Sequence, residues 1–75
     1  MEFIFEIMSP DGRSQAETKD FPSVPAAKRY ASTLLASEGS VTLCVKEGDR
    51  RKTIATRRMS RTYDGALVMN PWVNF

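Results

Sequence analysis

Phe3, Phe5 and Ile7 alternate with Glu2, Ile4, Glu6 and Met8, a period of two that predicts a half-buried strand over Glu2–Met8. Ser9-Pro10-Asp11-Gly12 follows. Proline is preset for the second position of a type I turn and glycine suits the fourth, so the chain is expected to reverse into a hairpin. The returning segment, Arg13 to Lys19, is polar and reads as an edge strand or extended arm. The period then changes. Ala27, Tyr30, Ala31, Leu34 and Leu35 fall at i, i+3, i+4, i+7 and i+8, one apolar stripe of a helix, with Lys28, Arg29, Ser32 and Thr33 facing away. Ser23 is the expected N-cap, Pro25 fits the first turn, and Gly39 is the expected C′ residue, ending the helix within a residue or two of position 38.

Alternation returns at Val41, Leu43 and Val45, opposite in parity to Thr42, Cys44 and Lys46. The turn-rich Glu47-Gly48-Asp49-Arg50 then predicts a second hairpin, with Arg51 to Met59 as its returning strand. Ala66 to Met69 adds a short fifth strand after Tyr63-Asp64-Gly65, and Asn70-Pro71 stops it, leaving residues 70–75 as a C-terminal aromatic tail. The expected fold is α+β: an antiparallel sheet of four strands, or five with Ala66–Met69, and one helix on one face, in the order β-β-α-β-β(-β). The other sheet face is left open. Its apolar members Ile4 and Met8, with Trp72 and Phe75, are expected either to pack under the C-terminal segment or to mark a contact surface.

Length sets the scale of what this layout can hold. A chain of 75 residues makes a single small domain, residues 1–75, that buries only about 60% of its unfolded surface. No run approaches the roughly 18 to 20 apolar residues of a membrane helix, and the first residues lack the features of a signal peptide, so a cytoplasmic protein with no membrane partner is expected. One cysteine and no histidine leave no disulfide, no multi-cysteine metal site and no Cys-His nucleophile. Cys44 reads as a small half-buried hydrophobe. Nine carboxylates are present, but general acid–base chemistry needs one of a pair desolvated in a pocket, and a two-layer domain of this size offers little concavity. The expectation is a non-enzymatic protein without cofactor or metal.

Charge is the strongest departure from uniformity. Arg50, Arg51, Lys52, Arg57, Arg58 and Arg61 place six of the eleven cations in twelve residues that contain no acid, a +6 window in a chain of net charge +2. On a regular strand Arg51 and Arg57 share one parity and Lys52 and Arg58 the other, which divides the cluster between two faces. The guanidinium fork suits phosphate and carboxylate alike, so the segment is a candidate grip on a nucleic-acid backbone or on an acidic protein surface. A solvated hairpin whose cations pair with the chain's own acids is the plainer alternative. Lys28 and Arg29 on the outer helix face and Trp72 in the tail complete the candidate contact set.

The element order and the local sequence Ala27-Lys28-Arg29-Tyr30-Ala31 resemble the small phage- or mobile-element-encoded proteins that include anti-CRISPR inhibitors. The likeness covers roughly residues 2 to 58 and has no catalytic signature to transfer. It implies a rigid body that blocks a nucleic-acid-processing complex by occupying its surface. The expected function is therefore an inhibitor with a protein partner such as a nucleoprotein effector complex. Direct nucleic-acid binding through Arg50 to Arg61 is the alternative, and a homodimer through open faces or edge strands is compatible with both.

Overall fold

The computed structural model describes the whole chain, Met1 to Phe75. Its elements are β1 (Glu2–Met8), β2 (Ser14–Asp20), α1 (Val24–Thr33), β3 (Gly39–Glu47), β4 (Arg50–Arg61), β5 (Leu67–Met69) and β6 (Val73–Asn74). The strands form one antiparallel sheet in the order β2-β1-β3-β4-β5, with β6 also paired to β4. The class is α+β as the pattern implied, with six strands in place of four or five.

The first hairpin closes as its turn residues dictate. The Gly12 N–H donates to the Ser9 carbonyl at 3.0 Å, and the Asp11 carboxylate accepts from the Ser9 hydroxyl and the Arg13 N–H, an Asx arrangement that holds the reversal. Because β2 and β3 are both antiparallel to β1, they run parallel to one another and need a crossover. That crossover is α1. It starts at the Ser23 cap, whose hydroxyl accepts from the Ala26 N–H, and lays Ala27, Ala31 and Leu35 over Phe3, Phe5, Val41 and Leu43 in one buried cluster. Phe21 and Tyr30 close its side, each packed edge-on against Phe5 with centroids 5.8 and 5.1 Å away. Full burial of each large apolar side chain contributes about 1.5–3 kcal/mol, so this cluster dominates the fold's stability.

The helix ends at Thr33, five residues short of the expected position. The Leu34 N–H turns back to the Ala31 carbonyl, a tightened last turn that carries Leu35 down into the core. Gly39 is not the cap residue; it is the first residue of β3. Its φ is +151°, and a Cβ there would lie 2.6 Å from the Met8 carbonyl oxygen. The residue is glycine because β3 passes against the β1–β2 turn at this point.

Two further features of β4 depart from the pattern. Leu43 pairs with Ala55 while Cys44 pairs with Thr53, so Ile54 has no partner on β3 and forms a β-bulge. Ile54 packs against the core cluster, and the neighbouring Ala55 is also buried. Residues 70–75 do not form a tail either. Val73 and Asn74 pair with Thr56 and Ala55, and the Phe75 N–H reaches the Ile54 carbonyl at 3.0 Å. Trp72 packs on the core cluster on the helix side, whereas Met8 and Phe75 stay exposed. No helix is long and apolar enough to cross a membrane.

Candidate functional site

The bulge decides where the cations go. One extra residue reverses the side-chain alternation, so Arg51 and Arg58 share the open face of the sheet, while Lys52 and Arg57 share the helix side. This corrects the expected pairing of Arg51 with Arg57 and of Lys52 with Arg58. Contacts on each face agree. Arg51 Nη1 lies 2.9 Å from Glu6 Oε1 on the open face, and Arg57 Nη1 donates to Ser32 Oγ on the helix at 2.8 Å.

Most of the candidate residues in the second half of β4 are already engaged within the chain. Arg57 Nε also donates to the Asn70 carbonyl at 2.8 Å, and its guanidinium stands 5.7 Å from the centre of the Trp72 ring. Lys28 Nζ lies 5.4 Å from the same ring and donates to Asn74 Oδ1 at 2.6 Å. Trp72 thus sits between two cations that anchor the C-terminal segment to the helix and to β4. Arg61 is held by Glu38 at 2.6 Å and by the Gly65 carbonyl at 2.7 Å. Lys28, Arg57, Arg61 and Trp72 therefore support the fold, and sequence spacing missed this because the partners Ser32, Glu38, Asn70 and Asn74 lie far from them along the chain, in the helix, the loop after it and the C-terminal segment.

The first half of β4 is different. The β3–β4 hairpin turns through Gly48-Asp49 with Gly48 alone at positive φ, +66°, the pattern of a two-residue type II′ turn that preserves strand twist. Every residue from Lys46 to Thr53 is exposed. Lys46 Nζ reaches Glu2 at 3.5 Å and Arg51 reaches Glu6, cross-strand pairs on the open face that at such exposure contribute about 0–1 kcal/mol. Arg50 and Lys52 take part in no ion pair, and the same holds for Arg29 on the outer helix face and Arg58. The structure thus gathers Arg50, Arg51 and Lys52 at the tip and leaves Arg29 and Arg58 apart from them.

The open face is rich in hydroxyls. Ser40 and Thr42 of β3 stand beside Arg58 and Thr56 of β4, with Thr42 Oγ1 and Thr56 Oγ1 3.3 Å apart. Cys44 is buried in this layer, its sulfur 3.7 Å from Glu6 Oε1 and 3.6 Å from Thr53 Oγ1. The alternation of Ser40, Thr42 and Cys44 against Val41, Leu43 and Val45 was the available sequence signal for this face. Two carboxylates in loops are held below the ordinary range. Asp11 is lowered by the Ser9 hydroxyl and then the Arg13 N–H, Asp64 by the Thr62 hydroxyl and then the Ala66 N–H.

Comparison with protein-family models, curated proteins and solved structures finds no significant match to the chain.

Proposed function

We propose that the chain is a non-enzymatic cytoplasmic binding protein that inhibits a nucleic-acid-processing protein complex by setting the tip of the β3–β4 hairpin against an acidic surface of that complex. The observation that carries this reading is the exposed tip, where Arg50 and Lys52 stand without ion-pair partners beside Arg51. A two-residue turn and continuous pairing with β3 hold these cations on a stiff ribbon, so little conformational freedom is lost when they meet carboxylates. Arg29, on the outer helix face, stands apart from this tip. The anti-CRISPR resemblance points the same way, toward occlusion rather than chemistry.

The test is binding and inhibition measured with a purified nucleoprotein effector complex. Arg50→Glu with Lys52→Glu is expected to weaken binding at least about tenfold, because like charges then face the partner, while the fold is retained. Unchanged binding by this folded variant would move the contact elsewhere. The Arg57→Glu substitution is unsuited to the purpose, since Arg57 holds the C-terminal segment.

One observation favours direct nucleic-acid binding as a second reading: Tyr63, in the β4–β5 loop two residues after Arg61, is fully exposed and offers a ring for base stacking. Anisotropy of labelled DNA and RNA across about 50 to 200 mM salt separates the two, since phosphate contacts give a steep slope of roughly −0.9 per contact on duplex DNA. Sedimentation at tens of micromolar decides whether the unpaired edge of β2 assembles a homodimer.

A further inference from the structure

Arg58 lies on a cleft of about 440 Å³ at the end of the sheet away from the hairpin tip. Met8 and Gly39 line it where their backbones pass closely, and a Cβ at position 39 would lie 2.6 Å from the Met8 carbonyl oxygen and force the two strands apart. Ser40, Ser60 and Asn70 complete the polar wall. Ser40 is the direct cross-strand partner of Arg58. Since the Arg58 carbonyl is bonded outward to the Asn70 N–H at 2.8 Å, the Ser40–Arg58 pair is of the non-hydrogen-bonded kind, with Cα atoms about 4.5 Å apart and side chains close together. Ser60, two residues beyond Arg58, projects on the same face.

The hydrogen bonding leaves these groups as donors. Asn70 Nδ2 donates to Ser60 Oγ at 2.8 Å, so the Ser60 proton is free to point into the cleft. The Ser40 hydroxyl has no partner in the chain, and Arg58 has no carboxylate within ion-pair distance. The one acid on the wall, Glu38, is neutralised by Arg61 at 2.6 Å. A guanidinium and two hydroxyls lining one concavity match the acceptor oxygens of a phosphoryl group.

We infer that the Arg58–Ser40–Ser60 cleft binds a phosphoryl group, carried either by a free nucleotide-sized phosphate ester or by a nucleic-acid backbone. The site is separate from the hairpin tip, about eight residues along β4 and thus on the order of 25 Å away, and it does not rest on the inhibitor reading.

The experiment is a titration of the ¹⁵N-labelled full chain with inorganic phosphate, a nucleoside monophosphate and a short oligothymidylate, followed by amide shifts. Saturable shifts centred on Ser40, Arg58, Ser60 and Asn70, with a dissociation constant near the millimolar range for phosphate, are expected. Arg58→Gln should weaken binding about tenfold or more and Ser40→Ala about threefold, while Arg50→Gln with Lys52→Gln leaves it unchanged. The nucleoside monophosphate binding more tightly than the oligonucleotide assigns the site to free phosphate esters, and the reverse order, still sensitive to Arg58→Gln, assigns it to a backbone. The inference fails if no saturable shift occurs, if the shifts centre on residues 46–53, or if a folded Arg58→Gln chain binds as the parent does.

Discussion

The two halves of β4 carry nearly the same sequence chemistry and have opposite fates. Before the bulge, Arg50, Arg51 and Lys52 project from an exposed ribbon whose outer edge is unpaired. After it, Arg57 and Arg61 are held by the helix, by Glu38 and by the Asn70 and Gly65 carbonyls. The difference lies in what covers the strand rather than in the residues themselves. β5 and β6 pair with Ala55 to Arg61 only, and the Gly65 and Asn70 carbonyls and the Trp72 ring in the loops beside them convert surface cations into cross-links. An arginine that donates several hydrogen bonds to fixed oxygens is part of the architecture, while one that donates none is free to meet a partner.

The bulge at Ile54 is where the two halves meet, and removing it carries the largest expected effect on stability. Deleting Ile54 makes the ladder continuous, leaves Arg51 opposite Lys46 on the open face and Lys52 opposite Val45 on the helix side, and removes a side chain packed on the core. A loss of about 2–5 kcal/mol is expected in urea denaturation, the range of large-to-small core changes. The Arg51–Glu6 contact should survive the deletion, because Arg51 keeps its place opposite Lys46. A stability loss below about 1 kcal/mol would mean that Ile54 and its packing add little to the fold.

Gly39→Ala tests the base of the covered half. The new Cβ would meet the Met8 carbonyl oxygen at 2.6 Å from a backbone at φ +151°, and both partners are main chain with little room to give. A cost of about 1–3 kcal/mol by thermal or urea melting is expected, with loss of the cleft beside Arg58. Alanine at Gly48 tests the exposed half in the same way, because its strain is confined to one turn with open space around it.

Much of the first half of the chain was legible from pattern alone. The alternation at Phe3 and Phe5, the Ser9–Gly12 turn, the Ser23 cap and the Ala27–Ala31–Leu35 stripe each rest on local rules, and local rules hold where neighbours in sequence are neighbours in space. What escaped was set by distant segments. The helix stops at Thr33 because Leu35 is drawn into the core and Gly39 is required under Met8. Val73 and Asn74 become a strand because β4 is long enough to leave an edge for them, which two residues cannot signal. The faces of the arginines depend on a single unmatched residue, Ile54, whose β-branched character looks the same in a bulge as in a regular strand. The candidate set therefore divides by environment: Arg50, Arg51 and Lys52 stay together, whereas Lys28, Arg57, Arg61 and Trp72 serve the fold.

Alanine substitutions along β4 sharpen that division. Arg57→Ala removes hydrogen bonds to Asn70 and Ser32 and the contact with Trp72, and is expected to cost about 1–2 kcal/mol. Arg50→Ala and Lys52→Ala should each stay within about 0.5 kcal/mol. Equal effects in denaturant midpoints would erase the distinction between the two halves. Arg57→Lys should recover little, since one ammonium does not reproduce a fork that bonds Asn70 and Ser32 together.

The smallest effect concerns the two carboxylates that close loops at the covered end, Asp11 and Asp64. Both titrate below the ordinary value of 3.8 in the folded chain, through hydroxyl and backbone donors. The unfolded chain therefore binds more protons than the folded one as the pH falls through this region, and stability rises with pH there. The contribution is present above the ordinary carboxylate value and is lost as the pH falls through the lower folded-state values. Urea midpoints measured from about pH 5 down to pH 2 should decline more steeply for the parent than for a chain carrying both Asp11→Asn and Asp64→Asn. Identical pH profiles for parent and double variant would show that the loops are held by their backbone turns alone.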